Sequence, residues 1–288
     1  MKTQVPEIFH ALLIIFFTFS VSVVSSWADS YANPTQEKYL VSEREYNQDR
    51  PKDQLFDEAV QILGGTRIPV LRWYQSINLA VVGTRDPSLN AVIKSIFNDI
   101  SLLTGIRYRT LSHSLVDPLD YIRALKNTPA YNLSICDSYQ TAYCTNFVVI
   151  ISDRETMHQI AKEFPLRQVY QQATSDKPNS TVQTELTCFF APGISFSTEI
   201  VQSVVYVQDN IGTDLQQTCL QEEIYQSFGL LGDYSNSAYF SFNNQVKPKA
   251  ITAFDKRLLS SLYDKTFARG TEAVPVARQL SEYCRSRC

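Results

Sequence analysis

Residues 219–234, CLQEEIYQSFGLLGDY, carry the polar side chains whose types and spacing are closest to a catalytic arrangement. Glu222 and Gln226 are four residues apart, so on a helix their side chains lie on one face. Glu223 is next to the first of them. A helix that presents two turn-spaced ligands beside a carboxylate can hold a metal ion and polarise a bound water. The segment therefore suggests a hydrolytic metal site.

The available ligands are not those of a typical zinc site. The chain has three histidines, one of which lies in the N-terminal segment, so only His113 and His158 are left for a mature protein. This count excludes a three-histidine zinc site within one mature chain. Oxygen ligands from Glu222, Gln226 and Asp233 suit Ca²⁺, Mg²⁺ or Mn²⁺ better than zinc. The cofactor is thus unknown, and a divalent cation is the candidate.

The same segment, together with ITAFDKRLLSSLYD at residues 251–264, resembles the signature of a bacterial exported family of unknown function. That family carries a cysteine, then EExxQxxGLxND, then TxxDxxLLxxLYD. In the order of its elements it is similar to the metzincin-type zinc peptidases, as a histidine-poor relative. The resemblance implies a zincin-like domain in which Glu223 would be the general base. It also implies structural roles for Gly229, at the glycine of the long metzincin motif, and for Asp255.

Two departures from these patterns argue against catalysis. Gly232 and Asp233 stand where the family more often has Asn-Asp, and the metzincin turn methionine is missing, since the chain has only Met1 and Met157. A shared fold does not imply shared catalytic activity when the metal-binding residues are missing. The sequence therefore favours a degenerate, non-catalytic module whose partner is an unknown peptide or envelope protein. A metal-dependent hydrolase that uses Glu223 as its base is the alternative.

The carboxylates allow two other interpretations, of which the first, an acid/base pair of the glycosidase kind, is disfavoured. Adjacent helical residues point about 100° apart, so Glu222 and Glu223 cannot easily flank one glycosidic bond as a paired acid and base. A solvent-exposed charged face is the other interpretation, because polar runs on helices usually face water. His158, one helical turn after Glu155, is interpreted as a surface residue for the same reason.

The elements around this segment predict an α/β (α+β) fold. Short β-branched runs alternate with amphipathic helical segments, and helices dominate the end of the chain. We predict one zincin-like domain over residues 53–288, with a mixed sheet, an active-site-type helix and C-terminal helices. The predicted strands are INLAVV, IRYRTL, NFVVIIS, ELTCFFAPG and EIVQSVVYVQ.

Local signals predict where some of these elements begin and end. Asp86-Pro87 is a helix-start signal, and Asp214 is a good N-cap for the helix that carries Glu222. Gly229 is predicted to stop that helix. Turn chemistry is expected at Pro192-Gly193.

The N-terminus predicts export. MKTQVPEIFH precedes the apolar run ALLIIFFTFSVSVV and a small-x-small site that ends at Ala28. This pattern predicts a signal peptide over residues 1–28 and a secreted or periplasmic protein. A membrane anchor is the alternative, but the run is too short to span a bilayer comfortably, so no span is expected after cleavage. Residues 29–52 are polar and are predicted to form an extended or disordered leader.

The cysteine count and the charge fit this compartment. Six cysteines in an exported chain favour disulfides over metal binding. Sequence alone leaves the pairing open. The formal net charge is −3 and the basic residues are scattered, which argues against a nucleic-acid partner. Of the possible pairings we choose Cys188–Cys219, Cys136–Cys144 and Cys284–Cys288.

Overall fold

The computed structural model describes residues 52–66, 69–84, 86–111, 117–126, 145–163, 187–194, 198–232, 237, 239–242 and 251–287. The predicted signal peptide, the leader up to residue 51, Asp233 and the predicted Cys136–Cys144 pair lie outside these ranges. The helices within them are α1 Lys52–Ile62, α2 Pro87–Thr104, α3 Pro118–Lys126, α4 Arg154–Glu163, α5 Thr213–Gln226, α6 Ala253–Leu262 and α7 Ala273–Arg287. The strands are β1 Ile77–Val82, β2 Tyr108–Leu111, β3 Phe147–Ser152, β4 Cys188–Ile194 and β5 Ile200–Gln208.

The five strands form one mixed sheet in the order β2-β1-β3-β5-β4. The pairs β1–β2, β1–β3 and β3–β5 are parallel, whereas β4 is antiparallel to β5. The predicted α/β (α+β) class is therefore confirmed, including the mixed sheet and the helices at the end of the chain. The central strands β1 and β3 are apolar over most of their length because helices cover both faces of the sheet.

Alternation along each strand divides the interior into two cores. In β3, Phe147, Val149 and Ile151 pack in a large core with residues of α2, α5, α6 and α7. Val148 and Ile150 point the other way and pack with residues of α3 and α4. Successive side chains of a strand point to opposite faces, so the sheet itself separates α5 from α4. This separation decides which polar residues can approach the predicted site.

The start of α2 agrees with its sequence signal, whereas the start of α5 does not. Asp86 caps α2, with Pro87 in the first turn, and its carboxylate accepts a hydrogen bond from the main-chain N–H of Ser88 at 2.7 Å. The predicted N-cap of α5 at Asp214 is wrong: the cap is Gly212, and Asp214 lies in the first turn. Asp214 is the second residue of the helix, where a carboxylate still interacts favourably with the helix dipole. This explains why an acidic residue marks the start of the helix without being its N-cap.

The predicted turn at Pro192-Gly193 is also wrong. Both residues belong to β4, where they pair with Ser203 and Gln202 of β5, and a register shift follows between Gly193 and Ile194. Proline and glycine are tolerated here because β4 is the last strand of the sheet and carries an irregularity. Both residues therefore belong to the strand itself and do not form a turn.

A disulfide joins the first residue of β4 to the middle of α5. Cys188 and Cys219 are bonded, with their Cα atoms 5.8 Å apart, which confirms this predicted pair. Closing a loop of this length stabilises the folded state by about 3–4 kcal/mol in the chain-entropy model. Cys284 is also disulfide-bonded, and Cys288, its predicted partner, lies outside the described residues.

Among the described helices, none is both long enough and apolar enough to cross a membrane.

Candidate functional site

Helix α5 carries the predicted site and lies inside the molecule. It packs against β4, β5 and α2. Glu222, Glu223 and Gln226 are only 8%, 1% and 0% exposed. The interpretation of these residues as a solvent-exposed charged face is therefore wrong. Because residues 222–226 are all buried, more than a full turn of the helix is enclosed by protein.

Burial makes the two carboxylates costly. An ionised carboxylate removed from water must be compensated by hydrogen bonds or by charges of opposite sign. Glu222, Glu223 and Gln226 all interact with other parts of the protein. Buried ionisable groups of this kind are concentrated at functional sites, although structural networks use them as well.

The turn after α5 needs glycine at position 229. Gly229 has a φ of 105°, in the left-handed region that other residues avoid. A Cβ atom there would lie 2.0 Å from the carbonyl oxygen of Leu71 and 3.0 Å from Cδ2 of Leu262. The chain can therefore leave α5 in this direction only because residue 229 has no side chain.

Two aromatic side chains hold the end of α5, and we call them the Trp73–Tyr263 clamp. The indole N–H of Trp73 donates to the carbonyl of Ser227 at 2.9 Å, and the Tyr263 hydroxyl donates to the carbonyl of Phe228 at 3.1 Å. The main-chain N–H of Trp73 donates in turn to the Tyr263 oxygen at 2.9 Å. Carbonyls at a helix end lack partners within the helix, so the clamp supplies them.

A pair of buried serines connects the same helix end to the sheet. The Ser203 hydroxyl of β5 donates to the Ser227 hydroxyl at 3.0 Å. The Ser227 hydroxyl donates to the main-chain carbonyl of Glu223 at 2.8 Å. Both serines are fully buried. The backbone that carries Glu223 is thus held from the sheet side as well as by the clamp.

Helix α1 supports the chain beyond the turn. The main-chain N–H of Gly232 donates to the carbonyl of Ile62 at 2.9 Å. A Cβ atom at position 232 would lie 2.4 Å from the carbonyl oxygen of Gln61. This close approach gives a physical reason for glycine at a position where asparagine was expected from the resemblance.

Asp255 lies in the first turn of α6. Its buried carboxylate accepts hydrogen bonds from the N–H and the hydroxyl of Thr252, both at 2.7 Å, and from the N–H of Ser241 at 3.1 Å. The Thr252 hydroxyl caps the helix reciprocally, which forms a capping box. Burial raises the pKa of Asp255 to about 6, although the bonds from Thr252 and Ser241 oppose that rise.

The structure brings residues 251–264 into direct contact with the end of α5. Leu262 lies beneath Gly229, Tyr263 binds the carbonyl of Phe228, and Arg72 donates to the carbonyl of Leu262 at 2.9 Å. The downstream segment therefore forms part of the wall around the exit of α5. The sequence alone assigns no site role to Trp73 or Tyr263, because their hydrogen-bond partners are 154 and 35 residues away along the chain.

The described residues do not assemble a metal site. No group of three or more His, Cys, Asp or Glu side chains that could hold a metal ion occurs in the described ranges. His158 is on α4, across the sheet from α5, so its imidazole cannot be a metal ligand together with Glu222 and Gln226. Asp233 and His113 lie outside the described residues. The oxygen-ligand set Glu222, Gln226 and Asp233 stays a prediction.

Comparison with known proteins places the chain in a family context. The model of a family described as a protein of unknown function, DUF2927, matches residues 43–282. This range contains every described element except the last few residues of α7. No curated protein and no solved structure is significantly similar to the chain.

Proposed function

We propose, since the chain belongs to the DUF2927 family of unknown function, that it is an exported binding module built on a degenerate metallopeptidase-like domain. Its partner would be an extended peptide segment of an envelope protein. The observation that carries the proposal is the burial of the predicted base and its neighbour: Glu223 is 1% exposed and Gln226 is 0% exposed.

This burial favours binding over hydrolysis for a chemical reason. A general base must reach the proton that it removes, either directly or through one water. A metal that activates this water needs an open coordination position and several protein ligands. Glu223 is 1% exposed, on a helix that packs against β4, β5 and α2. The part of the chain that is described contains no group of three candidate metal ligands.

Export is supported by the sequence at the N-terminus and by the disulfides. Bonded cysteines persist in oxidising compartments and are rare in the cytosol. The Cys188–Cys219 bond lies inside the large core. A reduced chain would have to bury two thiols there and would lose the cross-link between β4 and α5.

The outer edge of β4 is the surface that we assign to the peptide. In the described ranges β4 is the end strand of the sheet, and residues 190–194 are partly exposed. A strand at a sheet edge can accept an extended peptide through main-chain hydrogen bonds, and its side-chain pockets provide specificity. The disulfide fixes this edge relative to α5.

The test uses the purified mature protein and a random-sequence peptide library. We expect no stoichiometric metal by elemental analysis after dialysis, and we expect peptides to be retained on the immobilised protein without being cut. Mass spectrometry would detect cleavage, and Glu223→Gln is the matched variant because it keeps the shape and removes the charge. Stoichiometric metal, with cleavage that Glu223→Gln abolishes, would establish the alternative hydrolase, with Glu222, Gln226 and Asp233 as ligands. If peptides are neither retained nor cut, both proposed functions are contradicted.

A further inference from the structure

Asp255 is a buried carboxylate whose hydrogen-bond donors, in the part of the chain that the structure describes, are all neutral. Its side chain is 0% exposed. It accepts hydrogen bonds from Thr252 and from the main chain of Ser241. The ion pairs of the described residues do not include it. Because a buried charge without a counterion is costly, this group is suited to take up a proton.

The cations nearest in sequence are turned toward other groups. Lys256 pairs with Asp99 of α2 at 3.1 Å. The guanidinium of Arg257 stacks 3.7 Å from the ring centre of Tyr283 on α7. Neither side chain therefore neutralises Asp255, although both belong to the same helix.

Among the described residues, the other elements packed against Asp255 also present no positive charge to it. Tyr225 of α5 faces it, and burial first, then the charges of Asp99 and Asp255, raise the pKa of that phenol, which keeps it neutral. From the segment 239–242, the main-chain N–H of Ser241 donates to Asp255, and the main-chain carbonyl of Tyr239 accepts from Thr252. Within the described part of the chain, the carboxylate is thus held by hydrogen-bond dipoles and not by a positive charge.

The Thr252 hydroxyl has two acceptors for its single hydrogen. It can donate to Oδ2 of Asp255 at 2.7 Å or to the carbonyl oxygen of Tyr239 at 3.0 Å. It also accepts from the main-chain N–H of Asp255 at 3.1 Å. A hydroxyl carries one donor and two acceptor positions, so the same heavy-atom positions allow two hydrogen-bond arrangements.

We propose that Asp255 and Thr252 form a proton-linked latch on residues 239–242. When Asp255 takes up a proton from solvent, an O–H bond forms at Oδ2 and the carboxyl group becomes neutral. The new hydrogen is donated to the Thr252 oxygen, and the Thr252 hydroxyl turns its own hydrogen to the Tyr239 carbonyl. No other covalent bond changes. The hydrogen bonds that join Asp255 and Thr252 to residues 239–242 are therefore present in both protonation states. The neutral carboxyl group is less costly to bury than the carboxylate.

The direction of the pH dependence follows from the desolvation of the carboxylate. Burial raises the pKa of Asp255 from an ordinary 3.8 to about 6. The folded protein thus binds this proton more tightly than the unfolded chain. The resulting stabilisation is complete below about pH 3.8 and is lost as the pH rises through about 6. Mild acid should therefore stabilise the folded protein through Asp255, even though the hydrogen bonds from Thr252 and Ser241 are stronger to the ionised carboxylate.

The test follows the Asp255 carboxyl directly by its ¹³C chemical shift in the mature full-length protein. We expect a titration midpoint near pH 6. Thr252→Val keeps the side-chain shape but removes a donor to the ionised form, so it should move the midpoint to higher pH. Thr266→Val is the matched control: Thr266 donates to the partly exposed Asp264 at 2.8 Å, and its removal should leave the Asp255 midpoint unchanged.

Thermal unfolding at pH 4.5 and 7.5 provides a second readout. When the pH is lowered from 7.5 to 4.5, the Tm of the wild type should rise relative to that of Asp255→Asn, whose amide does not titrate. A wild-type midpoint at or below 3.8 would overturn the latch. Equal pH dependence of Tm in the wild type and Asp255→Asn would overturn it as well. If Asp255→Asn does not fold, the midpoints of the wild type and Thr252→Val decide the question.

Discussion

The hydroxyl of Tyr263 donates to the main-chain carbonyl of Phe228 at 3.1 Å, and this bond joins the two segments of the predicted signature. Phe228 follows the helix with Glu222 and Glu223, and Tyr263 ends the segment that begins with the Thr252 capping box. The downstream segment therefore has an architectural role at the exit of α5. We expect its variants to act first on stability.

Tyr263→Phe tests this contact. The variant leaves the ring in place but removes both the bond to Phe228 and the acceptor for the Trp73 N–H. We expect a loss of about 1–3 kcal/mol in the free energy of unfolding, because buried polar groups are left unsatisfied. Urea unfolding followed by Trp73 fluorescence measures it. Tyr108→Phe, which loses the partly exposed bond of its hydroxyl to Asn98, is the control and should change much less.

Gly229→Ala should be strongly destabilising. The new Cβ would lie 2.0 Å from the Leu71 carbonyl oxygen, at a φ of 105°. Backbone strain and overpacking together predict a loss of about 2–5 kcal/mol. Gly105→Ala is the matched control: its φ is 73°, but nothing lies within 4 Å of the added atom. We expect only strain of about 1–2 kcal/mol there, and equal losses at both positions would contradict the packing argument.

Removing the Cys188–Cys219 bond should loosen α5. The double variant Cys188→Ala/Cys219→Ala is expected to lose about 2–5 kcal/mol of unfolding free energy, because the unfolded chain regains the freedom of the opened loop. Hydrogen exchange of the amides of α5 and β4 would localise the effect. The expected pattern is faster exchange in these two elements, with β1 and β2 much less affected. A uniform change across the sheet would argue against a local tether.

Export predicts a specific mature N-terminus. Cleavage after Ala28 removes Trp27, one of the two tryptophans of the chain, and leaves Trp73 as the single one. Intact-mass analysis of the exported protein should give a chain that begins at Asp29. The emission spectrum should be blue-shifted, because Trp73 is 1% exposed. A mass that includes residues 1–28 would favour the membrane-anchor alternative.

Asp264 should show a pH dependence opposite to that of Asp255. Hydrogen bonds from Thr266 and from Gln279 hold the pKa of Asp264 below its ordinary value of 3.8. Its stabilisation is therefore present above pH 3.8 and is lost as the pH falls through the lower folded value. Asp264→Asn should reduce the acid sensitivity of unfolding below pH 4. An unchanged acid limb in urea titrations would contradict this assignment.

Much of the fold was determined by local features of the sequence. The runs INLAVV and NFVVIIS predict buried strands, and Asp86-Pro87 predicts the start of α2, because apolar periodicity and capping depend on neighbouring residues. Two other local signals, the Pro192-Gly193 pair and Asp214, gave wrong predictions. Pro192-Gly193 belongs to a sheet edge, and Asp214 lies one residue inside its helix.

The character of the candidate site was decided only by tertiary structure. Residue types and spacing identified Glu222, Glu223 and Gln226, but the same spacing fits an exposed face, a metal site or a buried one. They are buried because α5 packs against β4, β5 and α2. The end of the same helix is held by Trp73 and Tyr263, which are distant from it along the chain. Contacts between distant segments leave no periodic pattern in the sequence. Only the folded chain shows that the Glu222–Gln226 face is enclosed by protein.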